Sequence, residues 1–409
     1  MGKWQTIKLG DIACNIQTGP FGSQLHQSDY SAIGTPVVMP KDLIAGKISE
    51  QSIARVGEAH VKRLARHQIK DGDILYSRRG DVGRCAYATD AETNWLCGTG
   101  CLKVTIDSSK AISKFVFYQL QTSQSVGWVE KHAVGSTMLN LNTSILANIP
   151  LSLPPIEVQQ KIADILSAYD DLIENNRKQI KLLEEAAQRL YKEWFIDLRF
   201  PGYETTPIVN GVPGGWKLKC VGDICQTIGG GTPSTKVKEY YQGGTIKWVT
   251  PTDITRNDSV FLLDTEKKIT NWGLRNSSAK LLPPMTILMT SRASVGYFAL
   301  CENEVCTNQG FISCIPNQPE SRYFLLYNLM NRVDEIRQKA GGSTYLEINK
   351  STFRSLSIIY PAEKICIEFT NNLHPIMKQI LACKKIIEHA IQSRNCLLPK
   401  LVSGKLEVK

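Results

Sequence analysis

Two stretches of this chain, AVGSTMLNLNT at 133–143 and AGGSTYLEINK at 340–350, write nearly the same unusual loop twice. They are not isolated. Trp4, Gly10, Asp11 and Ile12 match Trp216, Gly222, Asp223 and Ile224, an offset of 212 (216 − 4). ILYSRRGDVG at 74–83 matches ILMTSRASVG at 287–296, an offset of 213 (287 − 74). Thr137 pairs with Thr344 and Pro154 with Pro361, both offset by 207 (344 − 137, 361 − 154). Four matches in the same order imply duplication, and offsets drift where loops change length between copies. A period near 210 is too long for a solenoid repeat, so each copy is a domain-sized module.

The chain has 409 residues, room for two or three domains, and 42% hydrophobic residues, enough to build real cores. Its formal charge of +10 permits a polyanionic partner without proving one. No apolar run reaches the length of a membrane span, and the first thirty residues lack a signal pattern, so a cytoplasmic protein is expected. The 12 cysteines are scattered without a C-x-x-C pair and read as small buried apolar residues.

Each module reads as α+β. Short β-rich runs at 35–39, 73–77 and 101–106 are punctuated by Gly, Pro and Asp. A helical stretch follows, holding Phe115, Phe117, Leu120 and Trp128 in copy one and YFLLYNLMNRVDEI at 323–336 in copy two. After the Gly-Ser-Thr loop comes a proline-opened helix with an unbroken 4, 3, 4, 3 spacing of core positions. These are Leu166, Tyr169, Ile173, Asn176, Ile180, Leu183, Ala187, Leu190 and Trp194. Copy two repeats the seam at Phe369, Leu373, Ile376, Ile380, Cys383, Ile387, Ala390, Arg394, Leu397 and Leu401. Such spacing predicts a coiled coil. Because it occurs twice, the two helices are expected to form one antiparallel pair rather than to pack separately on their own modules. Pro375 should kink the second helix, and Arg394 is a polar intruder in its seam. Asn176 reads either as a register-fixing polar residue or as a surface Asn facing a gap.

The expected boundaries are a first domain at 1–153, a helix at 154–200, a Pro- and Gly-rich linker at 201–215, a second domain at 216–360 and a second helix at 361–409. The fold class is therefore α+β, two tandem domains separated by an antiparallel coiled coil.

Catalytic and cofactor signatures are missing from the sequence. Gly404-Lys405 lacks the rest of a phosphate loop, and no Asn- or Asp-Pro-Pro-aromatic run, H-E-x-x-H or G-x-S-x-G occurs. Gly98-Thr99-Gly100 is only a turn signal. Cys97 with Cys101 and Cys301 with Cys306 have metal-like proximity. Aligning Gly100 with Gly310, however, puts Thr307 and Phe311 opposite the first pair, so no metal site is expected. No catalytic residue and no cofactor is assigned; the chain reads as a binder.

Several words now carry a resemblance. They are WQTIKLGDI at 4–12, TGPFGSQL at 18–25, GDILYSRRGDVG at 72–83 and GSTMLNLN at 135–142, with LPPIEVQQKIADIL at 153–166 and LYKEWFIDLRFPG at 190–202. GSTYLEIN at 342–349 and LLPKLVSGKLEV at 397–408 complete the set. In this order the chain resembles the specificity subunit of a type I restriction-modification enzyme over essentially its whole length. The resemblance implies two target recognition domains held apart by the helix pair and no catalytic activity of the chain's own. It implies double-stranded DNA as ligand, two adenine methyltransferase subunits as partners, and a motor-nuclease subunit in the full phage-defence enzyme. TGPFGSQL has only a loose counterpart, IGGGTPST at 228–235, and SRRGD becomes TSRAS, so contacts do not transfer between copies.

Two readers on one rod predict a bipartite, asymmetric target with a spacer of fixed length. Candidate DNA contacts are Ser23, Gln24, Lys41, Ser77, Arg78 and Arg79 in copy one, and Lys247, Trp248, Ser291 and Arg292 in copy two. The plain alternative for the arginines is a surface salt bridge. Ser136, Thr137, Ser343 and Thr344 mark either a domain-to-helix junction or a subunit-docking point. Competing functions are a DNA-binding adaptor of another defence or methylation system, a coiled-coil protein scaffold, and an enzyme acting alone on DNA.

Overall fold

A computed structural model describes residues 4–135, 138–342 and 345–408. The chain divides into two compact units, residues 1–171 with 390–409, and residues 172–389. Both are mixed helix and sheet, and they share one plan.

In the first unit, strands Ala13–Thr18, Cys101–Ile106, Ile74–Ser77 and Cys85–Tyr87 form an antiparallel sheet in that order. Alternate residues point to opposite faces, and here both faces are buried. Ile74, Tyr76, Leu102 and Val104 face a core that includes Phe115, Val116 and Leu120 of helix Ser113–Leu120. Leu75, Ala86 and Cys101 face a second core with Val38, Leu43 and Ile69. A second sheet pairs Leu96–Cys97 in parallel with Thr35–Val38, followed by Ala54–Val56 and Tyr30–Ser31. Finally, Gln5–Lys8 pairs antiparallel with Pro150–Leu153, so the first and last strands of the unit's sheet region lie side by side.

The second unit repeats these steps. Cys225–Gly229, Phe311–Pro316, Ile287–Thr290 and Phe298–Leu300 form the antiparallel sheet. Ile246–Val249 pairs in parallel with Cys306–Thr307 and antiparallel with Lys268–Ile269. Lys217–Cys220 pairs with Ser357–Tyr360. The expected strands at 35–39, 73–77 and 101–106 are present to within a residue.

The helices expected from the seam spacing are Ile156–Phe195 and Glu363–Leu401, 40 and 39 residues long. The second runs unbroken through Pro375 and Pro399. Within the first unit, Ile162, Ala163 and Leu166 share a core with Leu401 and Val402, and Asp170 meets Arg394 at 2.5 Å. Within the second unit, the Cys383 thiol donates to Gln179 Oε1 at 3.3 Å, and the Phe369 ring packs on Trp194 and Phe195. Positions rise on one helix as they fall on the other, so the pairing is antiparallel in each unit. Leu166, Ile173, Ile180, Ala187, Leu373, Ile380 and Ile387 are buried. Tyr169, Leu183 and Ile376 are half-buried, and Met377 beside Ile376 is buried instead. Asn176 is buried, and its amide donates to the Leu172 carbonyl of its own helix at 2.8 Å. Among the described residues, no helix is long and apolar enough to cross a membrane.

Candidate nucleic-acid interface

Four loops converge at the end of the central sheet in each unit. The strand Ile74–Ser77 ends at Arg78, whose N–H donates to the Gly100 carbonyl at 2.8 Å. The Arg78 carbonyl accepts from Leu141 N–H at 2.8 Å, and Gly80 N–H donates to Leu139. This stitches the arginine loop to the segment that follows the Gly-Ser-Thr motif. The equivalent bonds in the second unit are Ser291 N–H to Gly310, Ile348 N–H to Ser291, and Ala293 N–H to Leu346. Gly135 and Gly342 have φ of +129° and +131°, and a Cβ at either would meet the carbonyl of Met138 or Tyr345 at 2.2 or 2.1 Å. The loop therefore demands glycine at both places. Ser136, Thr137, Ser343 and Thr344 themselves lie outside the described residues.

The fourth loop, 18–25, crosses over this junction. Gly19 N–H donates to the Cys101 carbonyl at 2.9 Å, and a Cβ at Gly19 would lie 1.8 Å from the Gly98 carbonyl oxygen. Only glycine permits that approach. Gly230 makes the same approach in the second unit, where a Cβ would lie 2.0 Å from the Asn308 carbonyl. The Gly98-Thr99-Gly100 turn is thus a floor against which the first loop is pressed.

The candidate contact residues fall into two groups on this frame. Ser77 is buried and its hydroxyl donates to the Arg79 carbonyl at 3.0 Å, which shapes the turn. Ser291 is likewise buried. Trp248 belongs to the core of the second unit, its indole N–H donating to the Gly231 carbonyl at 3.0 Å. Lys41 is exposed, with its ammonium donating to the Ser52 carbonyl; Lys247 is half-buried and donates to Leu263. Gln24 is half-buried in the 3-10 turn Gly22–Gln24; the Ser23 side chain lies outside what is described.

The arginines differ between units. Arg79 and Arg292 occupy the same place, each bridged by backbone to the loop, at Asn140 and Glu347 respectively. The Arg292 guanidinium lies 3.5 Å from Glu347, whereas Arg79 has no ion pair among the described residues. Arg78 is half-buried, with its Cζ 5.7 Å from the centroid of the Phe21 ring. Phe21 was not among the expected contacts. Its signal in the sequence was an aromatic set between Gly19 and Gly22, a large apolar side chain in a short glycine-rich loop.

Burial pushes the thiols of Cys97 and Cys301 up to about 12, as for inert core cysteines. Among the described residues, no three His, Cys, Asp or Glu side chains gather as a metal site.

The chain was then compared with known proteins. The profile of a family described as type I restriction modification DNA specificity domain matches residues 1–185 and again 213–390. The type I restriction enzyme MjaIX specificity subunit of Methanocaldococcus jannaschii is 36% identical over 424 residues, covering 99% of this chain and 94% of that one. The HindI specificity subunit of Haemophilus influenzae is 25% identical over 472 residues, covering 99% and 100%. A crystal structure of a type I restriction-modification S subunit from M. genitalium superposes with a TM-score of 0.64 at 16% identity, covering 98% of this chain and 96% of that one, which is a likeness of fold. Two matched halves, two copies of one loop frame and full-length relatives converge: the chain belongs to the type I restriction-modification specificity subunit family.

Proposed function

We propose that each unit reads one half-site of a bipartite, asymmetric double-stranded DNA target, and that the paired long helices set the number of unread bases between. What supports this most is the loop frame that occurs twice with the same backbone bonds and different side chains. A shared frame supplies one docking geometry; different side chains supply two sequences to be read. At about 1.5 Å per residue, each helix is on the order of 60 Å long, a reach of a little under two turns of B-DNA at about 34–36 Å each.

In this reading the chain has no catalytic role of its own. It works in the cytoplasm, recruits two adenine methyltransferase subunits and, in the complete enzyme, the motor-nuclease subunit. Arg78, Arg79 and Gln24 contact DNA from the first unit and Arg292 from the second, with Ser23, Lys41 and Lys247 as further contacts. The Gly-Ser-Thr loops, with Ser136, Thr137, Ser343 and Thr344, act as junctions between each recognition module and its helix rather than as docking points.

The test is to delete one matched heptad from each long helix across the Gln179–Cys383 contact, then map adenine methylation made by the complex. Seven residues are about 10 Å of helix, or about three base pairs of B-DNA. The expected product methylates the same two half-sites with a spacer about three base pairs shorter. Methylation at the original spacing would end the ruler idea, and a wild-type complex that methylates without sequence preference would end the whole reading.

A further inference from the structure

Phe21 is 55% exposed at the tip of a loop that glycine packing presses onto the sheet end. A large apolar ring held in water by a tightly fixed backbone needs a reason. Arg78 lies over the ring, its Cζ 5.7 Å from the centroid, a distance where cation–π attraction operates. Arg78 has no ion pair and no side-chain hydrogen bond among the described residues, and its Nε is buried without a partner. Its backbone, by contrast, is held on both sides, at Gly100 and Leu141. Among the described residues the Phe21 ring is thus the contact recorded for this head group, and its two terminal nitrogens have no protein acceptor there.

We infer that Phe21 is a positioning residue that aims the Arg78 guanidinium at a guanine edge in the half-site read by the first unit. This rests on the reading proposed above. A guanidinium fork with two free nitrogens matches the paired O6 and N7 acceptors of guanine in the major groove. Stacking on an aromatic ring fixes the plane of the fork without using its donors. The second unit has neither partner: Ser291 stands at the position of Arg78, and the loop there reads GGGTPST without an aromatic. In that loop the Thr232 hydroxyl is already engaged with the Gln309 side chain. The two half-sites are thus read by different chemistry.

The experiment uses the full chain in complex with its methyltransferase subunits, bound to duplexes carrying the target mapped by methylation. Each guanine of the half-site is replaced in turn by 7-deazaguanine, which lacks the N7 acceptor. Wild type should lose affinity at one such position in one half-site. Arg78→Ala should bind the intact target about tenfold more weakly and ignore that replacement. Arg78→Lys should keep salt-dependent binding but also ignore it, because an ammonium has no fork. Phe21→Ala should lose about threefold to tenfold, Phe21→Trp should retain full discrimination, and Phe21→Ala with Arg78→Ala should be no worse than Arg78→Ala alone. Additive losses, losses spread over both half-sites, or unchanged discrimination in Phe21→Ala would overturn the inference. If wild type itself failed to separate target from scrambled duplex, the functional reading would fall and this inference with it.

Discussion

The two units build the same sheet end with opposite interiors. In the first, Asp73 and Lys103 are buried and lie 3.3 Å apart, with Thr105 and the Lys70 N–H also bonding the carboxylate and Gln68 accepting from the ammonium. The equivalent pair in the second, by offsets of 213 (286 − 73) and 210 (313 − 103), is Thr286 and Ser313, both buried and neutral. The long helices show the same contrast. In the first unit the Tyr118 hydroxyl donates to Asp170, which also holds Arg394. In the second, the offset equivalents of Tyr118 and Asp170 are Tyr327 and Met377, in contact at 3.6 Å, and Ala187 stands where the repeat would put Arg394. Arg394, an intruder in the heptad pattern, is therefore answered by a carboxylate rather than merely tolerated. One backbone plan accepts either interior: in the charged one each ion has its partners, and in the neutral one Thr286 donates to the Pro283 carbonyl while the Ser313 hydroxyl is buried without a partner among the described residues.

That contrast can be broken most sharply at the ion pair. Asp73→Ala leaves a buried ammonium without its anion and should cost about 3–5 kcal/mol of unfolding free energy. Asp73→Thr combined with Lys103→Ser, which copies the second unit, should cost less than half as much. Denaturant unfolding of the three proteins checks this; equal losses for the single and double variants would mean the pair is not a unit. Next in size is the helix network. Arg394→Ala should cost about 2 kcal/mol by stranding Asp170, and adding Asp170→Met, the second unit's solution, should recover most of it. If Asp170→Met deepens the loss instead, the two helix ends are not interchangeable in chemistry.

The smallest effect is one of pH. His67 is buried, its Nδ1 has no hydrogen-bond partner among the described residues, and its Nε2 accepts from Arg66 at 3.0 Å. Burial, then the neighbouring Arg66 charge, lowers its pKa below the ordinary 6.5. The unfolded chain therefore takes the proton first, so the stabilisation is present above about pH 6.5 and fades as pH falls towards the folded value. The second unit has Lys280 at the matching place. Unfolding followed between pH 7 and 5 should show a stability loss that His67→Gln abolishes.

Much of the fold was legible because it is written in periodicity. Offsets near 210 announce two modules, and the 4, 3 spacing announces helices of 40 and 39 residues. What the sequence could not display are contacts between residues far apart along the chain. Gly19 pressing on Gly98, Phe21 under Arg78 and Asp73 against Lys103 each depend on a loop closing over distant strands. Trp248 and Ser77 illustrate the reverse problem: both residue types occur in DNA-reading loops, yet here each lies on a strand with its polar atom used internally. Arg79 and Arg292 align perfectly in sequence, and only Glu347 in place of Asn140 makes one of them an ion pair.

The pairing of Gln5–Lys8 with Pro150–Leu153, and of Lys217–Cys220 with Ser357–Tyr360, has a consequence for inheritance. Each sheet region enters and leaves through neighbouring strands, like a cassette whose two connectors share one socket. A gene segment coding for everything between those strands can be transplanted whole, because the host has only to supply the two ends at one spacing.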